Sequence, residues 1–154
     1  MSSQKILVPY NFTVYDQKAL YFVIQTFSHL KDVEVTLFNA YTPAPEIDMR
    51  KSPIMETMKS HLHFLSSKIK EQEDGLKAAK QNLLKNGFQK HRVKYIFKPR
   101  KKDIATEIIS LAENDNFDLI VLNHTPGSLT HFFTANVFNK IVSALKDKTI
   151  CVVT

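Results

Sequence analysis

Apolar runs of strand length alternate with longer stretches of helical period along the chain, and this alternation restricts the fold to βα units around a parallel sheet. Residues 5–10 form the first run. They precede a stretch in which Ala19, Phe22, Val23, Phe27 and Leu30 share one helical face. The second run, 33–40, alternates and then turns uniformly apolar apart from Asn39, as in a strand covered on both faces. Residues 91–98, 118–122 and 149–153 give three further strands. Before the fourth, Asp103 caps a helix carrying Ile104, Ile108, Leu111 and Ala112 on one face. Before the fifth, Phe133, Val137, Ile141 and Leu145 recur at helical spacing.

Between the second and third strands, Pro43, Pro45 and Pro53 punctuate a loop, and residues 53–86 then predict one long helix. Ser52 is its expected cap, Pro53 its first residue and Gly87 its close. Met55, Leu62, Ile69, Leu76 and Leu83 recur every seven residues and draw a narrow apolar seam. At about 1.5 Å per residue the helix runs to roughly 50 Å, more than a strand of about 20 Å requires. Two readings follow: the excess bends near Gly75 or overhangs, or the seam over 53–86 docks on a partner protein.

A length of 154 residues fits one domain, 1–154, and 44% hydrophobic with 23% charged residues excludes wholesale disorder. No apolar stretch approaches the roughly 18 residues a membrane span needs, and residues 1–10 lack the layout of a signal peptide. The expected location is cytoplasmic, with no membrane partner. The single cysteine, Cys151, excludes an internal disulfide and reads as core filler. The formal charge of +6 is densest over residues 90–102. Lysines on one face of an edge strand deter pairing with another chain. Nucleic-acid binding is the less favoured reading, for no arginine–aromatic interleaving or recognition helix accompanies the charge.

With only Gly75, Gly87 and Gly127, neither a Walker phosphate loop nor a dinucleotide-binding fingerprint can be written. His61 and His63 stand two apart on a helix, about 160° from one another, and are expected to be exposed rather than to hold a metal. No nucleophile with an adjacent base and no carboxylate pair emerges, so no catalytic role and no metal are expected. Position supplies the candidate site instead. In an open parallel sheet ligands bind beyond the carboxyl ends of the strands, where the strand order reverses. Flavodoxin-like orders bring Asn11 and Thr13 beside Asn123, His124 and Thr125 there. The following loop, with Gly127, Ser128 and Thr130, leads into a helix N-terminus that favours an anion; alternatively Ser128 or Thr130 only caps that helix.

At this point the residues resemble a known family. Lys5-Ile-Leu-Val-Pro9, Val35-Thr-Leu-Phe-Asn-Ala40, Asp118-Leu-Ile-Val-Leu122 and Ile150-Cys-Val-Val153 are similar, in order and spacing, to the strands of universal stress proteins. The resemblance implies a three-layer, doubly wound parallel sheet of order 3-2-1-4-5. It also implies a non-enzymatic stress-response protein and a homodimer paired through the last strand, at Ile150, Val152 and Val153. Members that bind ATP place an aspartate after the first strand; this chain has Asn11. They then carry Gly-x-x-Gly, nine residues and Gly-Ser/Thr. Here Asn123 and Pro126 stand at the first two glycines, unless a shift of one residue brings in Gly127, and Ala135-Asn136 stands at the third, one residue short. Side chains at Asn123 and Ala135 crowd a triphosphate, and Pro126 has no N–H to donate. The candidate, degenerate nucleotide site is therefore Pro9, Asn11, Thr13, Ala40, Asn123, His124, Thr125, Gly127, Ser128 and Asn136. No cofactor is expected in it; ATP or AMP is the disfavoured alternative.

Overall fold

The computed structural model describes residues 3–44, 55–123 and 135–154. Five strands, β1 (Gln4–Pro9), β2 (Val33–Tyr41), β3 (Val93–Pro99), β4 (Leu119–Asn123) and β5 (Thr149–Val153), form one sheet in the order β3-β2-β1-β4-β5. Every neighbouring pair is parallel, with Ile6 opposite Val35 on one side and Leu119 on the other. The helices are α1 (Asp16–Phe27), α2 (Met55–Lys85), α3 (Ile104–Asn114) and α4 (Ala135–Ala144). Strand order and strand number are those expected from the sequence.

Because successive strand side chains point to opposite faces, each buried strand feeds two cores. Ile6, Val8, Val35, Leu37 and Val121 pack with Ala19, Leu20 and Val23 of α1 and with Leu76, Ala79 and Leu83 of α2. Leu7, Phe38, Ile120 and Leu122 face the other way, onto Ile108 and Ala112 of α3 and Ile141 of α4. The α1 face differs from the expected one at its end, for the helix stops at Phe27 and Leu30, 43% exposed, lies beyond it. Leu20 takes its place in the core.

The capping expected of Asp103 is present: its side chain accepts from the Thr106 N–H at 3.0 Å. Glu107 accepts from the N–H groups of Lys101 and Lys102, both at 3.0 Å, satisfying two donors just before α3. At the close of α2, Gly87 adopts φ +113°, a left-handed conformation that a side chain disfavours. Ser52 and Pro53 lie outside the described residues. Helix α2 runs unbroken through Gly75, where an added Cβ would lie 3.0 Å from the Phe12 ring. Close approach is thus the visible reason for that glycine. Residues 90–92 form a 3-10 turn, so β3 begins at Val93 rather than at His91. His61 and His63 are exposed. Cys151 is only half-buried, against the α1 side of the sheet, where burial pushes its thiol up.

Candidate functional site

The carboxyl ends of β1 and β4 are adjacent, as the strand order requires, and a buried carboxylate ties them together. Beyond β1 the chain turns through Asn11, Phe12 and Thr13, with Phe12 at φ +61°, before α1 starts at Asp16. Asp16 is 1% exposed. Its Oδ2 accepts from the Asn11 N–H at 3.2 Å, the Thr13 N–H at 2.7 Å and the Thr13 hydroxyl at 3.0 Å. Its Oδ1 accepts from Nδ2 of Asn123, the last residue of β4. One side chain therefore closes the β1–α1 turn and pins it to β4.

Two opposed effects set the charge of this carboxyl. Burial pushes its pKa up, and the four donors from Thr13, Asn11 and Asn123 pull it down; burial prevails, and the pKa stands above the ordinary aspartate value. Tyr10 is also buried, and the same desolvation together with the neighbouring Asp16 charge raises its phenol. The Tyr10 hydroxyl accepts from Gln17 Nε2 at 2.9 Å, and its ring meets Phe12 edge to face at 5.2 Å. Asn39 on β2 donates to the Tyr10 carbonyl at 2.9 Å. Its own Oδ1 is buried and has no hydrogen-bond partner among the described residues.

Of the residues proposed from sequence, Asn11, Thr13 and Asn123 converge, all three through Asp16. Pro9 is buried at the end of β1, and Ala40 is buried on the α3 face of β2. Asn136 is exposed in the first turn of α4. His124, Thr125, Pro126, Gly127 and Ser128 lie outside the described residues. Asp16 itself was not among the expected residues. Its signal is Thr13-Val-Tyr-Asp16, the capping-box spacing, in which the acid three residues on reaches back to the N–H of the threonine. At the sheet edge Val152 is 36% exposed, and Ile150 and Val153 are half-buried.

This carboxylate sits at the N-terminus of α1, where a free anion would otherwise be favoured. The N–H groups of Asn11 and Thr13 and the Asn123 amide bond to it. A phosphate entering between β1 and β4 would meet the Asp16 carboxyl group.

An open parallel α/β sheet of this order, with buried polar side chains joined at the β1–β4 junction, defines the class. The chain belongs to the Universal stress protein family, whose sequence profile matches residues 2–152. Among solved structures it is similar to hypothetical protein MJ0577, at 23% identity and a TM-score of 0.67 over 99% of this chain and 96% of that one. The universal stress protein from Archaeoglobus fulgidus in complex with dAMP matches at 15% identity and a TM-score of 0.64, over the full length of both. A family member from Arabidopsis thaliana with AMP bound matches at 15% identity and a TM-score of 0.52, over 97% of this chain and 90% of that one. At these identities the likeness shows the fold. No curated protein matches the chain. Among the described residues no helix is long and apolar enough to cross a membrane, and no group of His, Cys, Asp and Glu is placed to hold a metal.

Proposed function

We propose that this universal stress protein is a single-domain, non-catalytic regulatory protein that acts as a homodimer and does not hold ATP tightly. The observation that carries the last point is the Asp16 clamp. It places a carboxyl group at the junction of β1 and β4 and engages the N–H groups of Asn11 and Thr13 and the Asn123 amide. The altered glycine positions act in the same direction, since Asn123 directs a buried side chain into the junction where a glycine would leave room. Of the proposed site residues, Asn11, Thr13 and Asn123 meet at this junction through Asp16. His124, Thr125, Gly127, Ser128 and Asn136, with Pro9 and Ala40, are assigned to the site by sequence position.

Equilibrium binding of labelled ATP with magnesium tests this reading. The expected result is no saturation in the micromolar range, a free energy short of about 8 kcal/mol. Saturation there, abolished in His124→Glu, would overturn it. A smaller nucleotide is the second reading, favoured by the two relatives solved with dAMP and AMP. A mononucleotide brings one phosphate instead of three to the Asp16 carboxyl group, so AMP is titrated beside ATP.

Dimerisation is assigned to β5, an edge strand whose only sheet partner among the described residues is β4. An unpaired edge of apolar residues gains most by meeting its own copy across a two-fold axis. Val152→Lys places a charge on the exposed position of that strand and is expected to yield monomers by light scattering. A wild-type protein that is monomeric at every working concentration would rule the interface out.

A further inference from the structure

The opposite edge of the sheet is chemically unlike β5. Residues 90–102 carry seven of the twenty-one lysines and arginines and none of the fifteen acids. The remaining residues hold fourteen basic and fifteen acidic side chains and sum to a charge of −1, so the protein's whole positive excess lies on β3 and its two flanks. Among the described residues only Lys98 of this set is neutralised, by Glu107 at 3.3 Å. Among the described residues no acid pairs with the side chains of Lys90, Arg92, Lys94, Arg100, Lys101 or Lys102.

The strand is also an edge. It pairs with β2 alone, which leaves its outer N–H and C=O groups without a ladder partner among the described residues. One or two charges suffice to deter a second copy of such an edge, and this one collects seven. The charges cluster at the two ends of a strand about 23 Å long. Between them lie Tyr95, Ile96 and Phe97, all half-buried. On the α3 face, a groove of about 270 Å³ borders Ile96, with Lys5 and Lys94 in its walls beside the acids Glu34 and Asp115.

We infer that the free edge of β3 docks an extended acidic segment of a partner protein, added to the sheet as a sixth strand. Main-chain hydrogen bonds would supply affinity and register, as in other edge additions. The apolar centre of the edge, Tyr95 to Phe97, selects apolar residues in the middle of the segment. The basic flanks select Asp and Glu at its ends. A nucleic acid fits less well, because it brings a charge at every step and nothing that pairs with a strand edge. The charge that repels a second copy of this edge is therefore the charge that recruits the acidic strand.

The test uses the full chain and a fluorescent peptide with a Val-Thr-Val-Thr-Val centre and an Asp-Glu-Glu triplet at either end. Anisotropy should show saturable binding, weakened at least about tenfold when alternate residues of the peptide centre are N-methylated. The double variant Lys94→Glu, Lys101→Glu should bind at least about tenfold more weakly. Both positions are exposed, so its thermal midpoint should stay at the wild-type value. Hydrogen exchange should slow at the β3 amides when the peptide is bound. The inference fails if the N-methylated peptide binds equally well, if an oligothymidylate of matched charge binds as tightly, or if no saturation is reached below roughly millimolar peptide.

Discussion

Asp16→Ala should destabilise the protein by roughly 2–4 kcal/mol, a larger loss than any substitution at an exposed position of the site. Truncation leaves the Asn123 amide, the N–H groups of Asn11 and Thr13, and the Thr13 hydroxyl facing a space with no acceptor. A buried donor stripped of its partner costs more than the original bond contributed. Phe12 raises the cost further, since its positive φ is held by the turn that Asp16 closes. Asp16→Asn keeps one acceptor oxygen, and a rotated Asn123 amide can accept from its new N–H₂, so that variant should lose only about 1 kcal/mol. The two variants differ in their dependence on pH. Burial holds the Asp16 pKa above its ordinary value, so the folded chain keeps this proton over a range where the unfolded chain has released it. The stability that the protonated group contributes is complete below the ordinary aspartate pKa and is lost as pH rises through the folded one. Asn does not titrate. Chemical denaturation from pH 4 to pH 7 should therefore show the deficit of Asp16→Asn shrinking as pH rises. A deficit that widens would mean that the fold prefers the carboxylate and that the donors, not burial, govern the group. Asp103 and Glu107 cancel from this comparison. The Thr106 bonds lower the first; for the second, burial is outweighed by the Lys102 and Lys101 N–H bonds and the Lys98 charge.

The inner strands were legible because β2 and β4 are buried on both faces and so appear as near-continuous apolar runs, whereas the edge strand β3 showed itself by alternation of apolar residues with lysines. Adjacency of Asn11 and Asn123 was legible only through the strand order that the family resemblance implies. The group that joins them was not. In sequence Asp16 is one more polar residue in the first turn of an amphipathic helix, and only the Thr13-x-x-Asp16 spacing marks it as turned inward. Its partner Asn123 is 107 residues away, beyond the reach of any local pattern. The end of α1 was misplaced by a different cause. Leu30 continues the helical period, yet the backbone turns at Ser28, whose N–H still bonds to Ile24. Periodicity records which residues are apolar, not where the chain leaves the helix.

The long helix supplies the second large effect. Leu62, Ile69, Leu76 and Leu83 occupy equivalent steps of one heptad seam, and by sequence nothing ranks them. In the fold, Leu76 and Leu83 are wholly buried against the sheet with Ala79 between them, whereas Leu62 and Ile69 are half-buried. Leu76→Ala should therefore cost about 2–5 kcal/mol, a transfer loss plus a cavity in a core that closes only in part. Leu62→Ala, at the same heptad step two turns of the repeat earlier, should cost about 1 kcal/mol or less in the isolated protein. Denaturant melts of the two variants separate a helix that is core along its length from one whose first half extends past the sheet. If Leu62→Ala proves as damaging as Leu76→Ala, that half is packed in solution against another surface, and the loss should then depend on protein concentration if the surface belongs to a second copy.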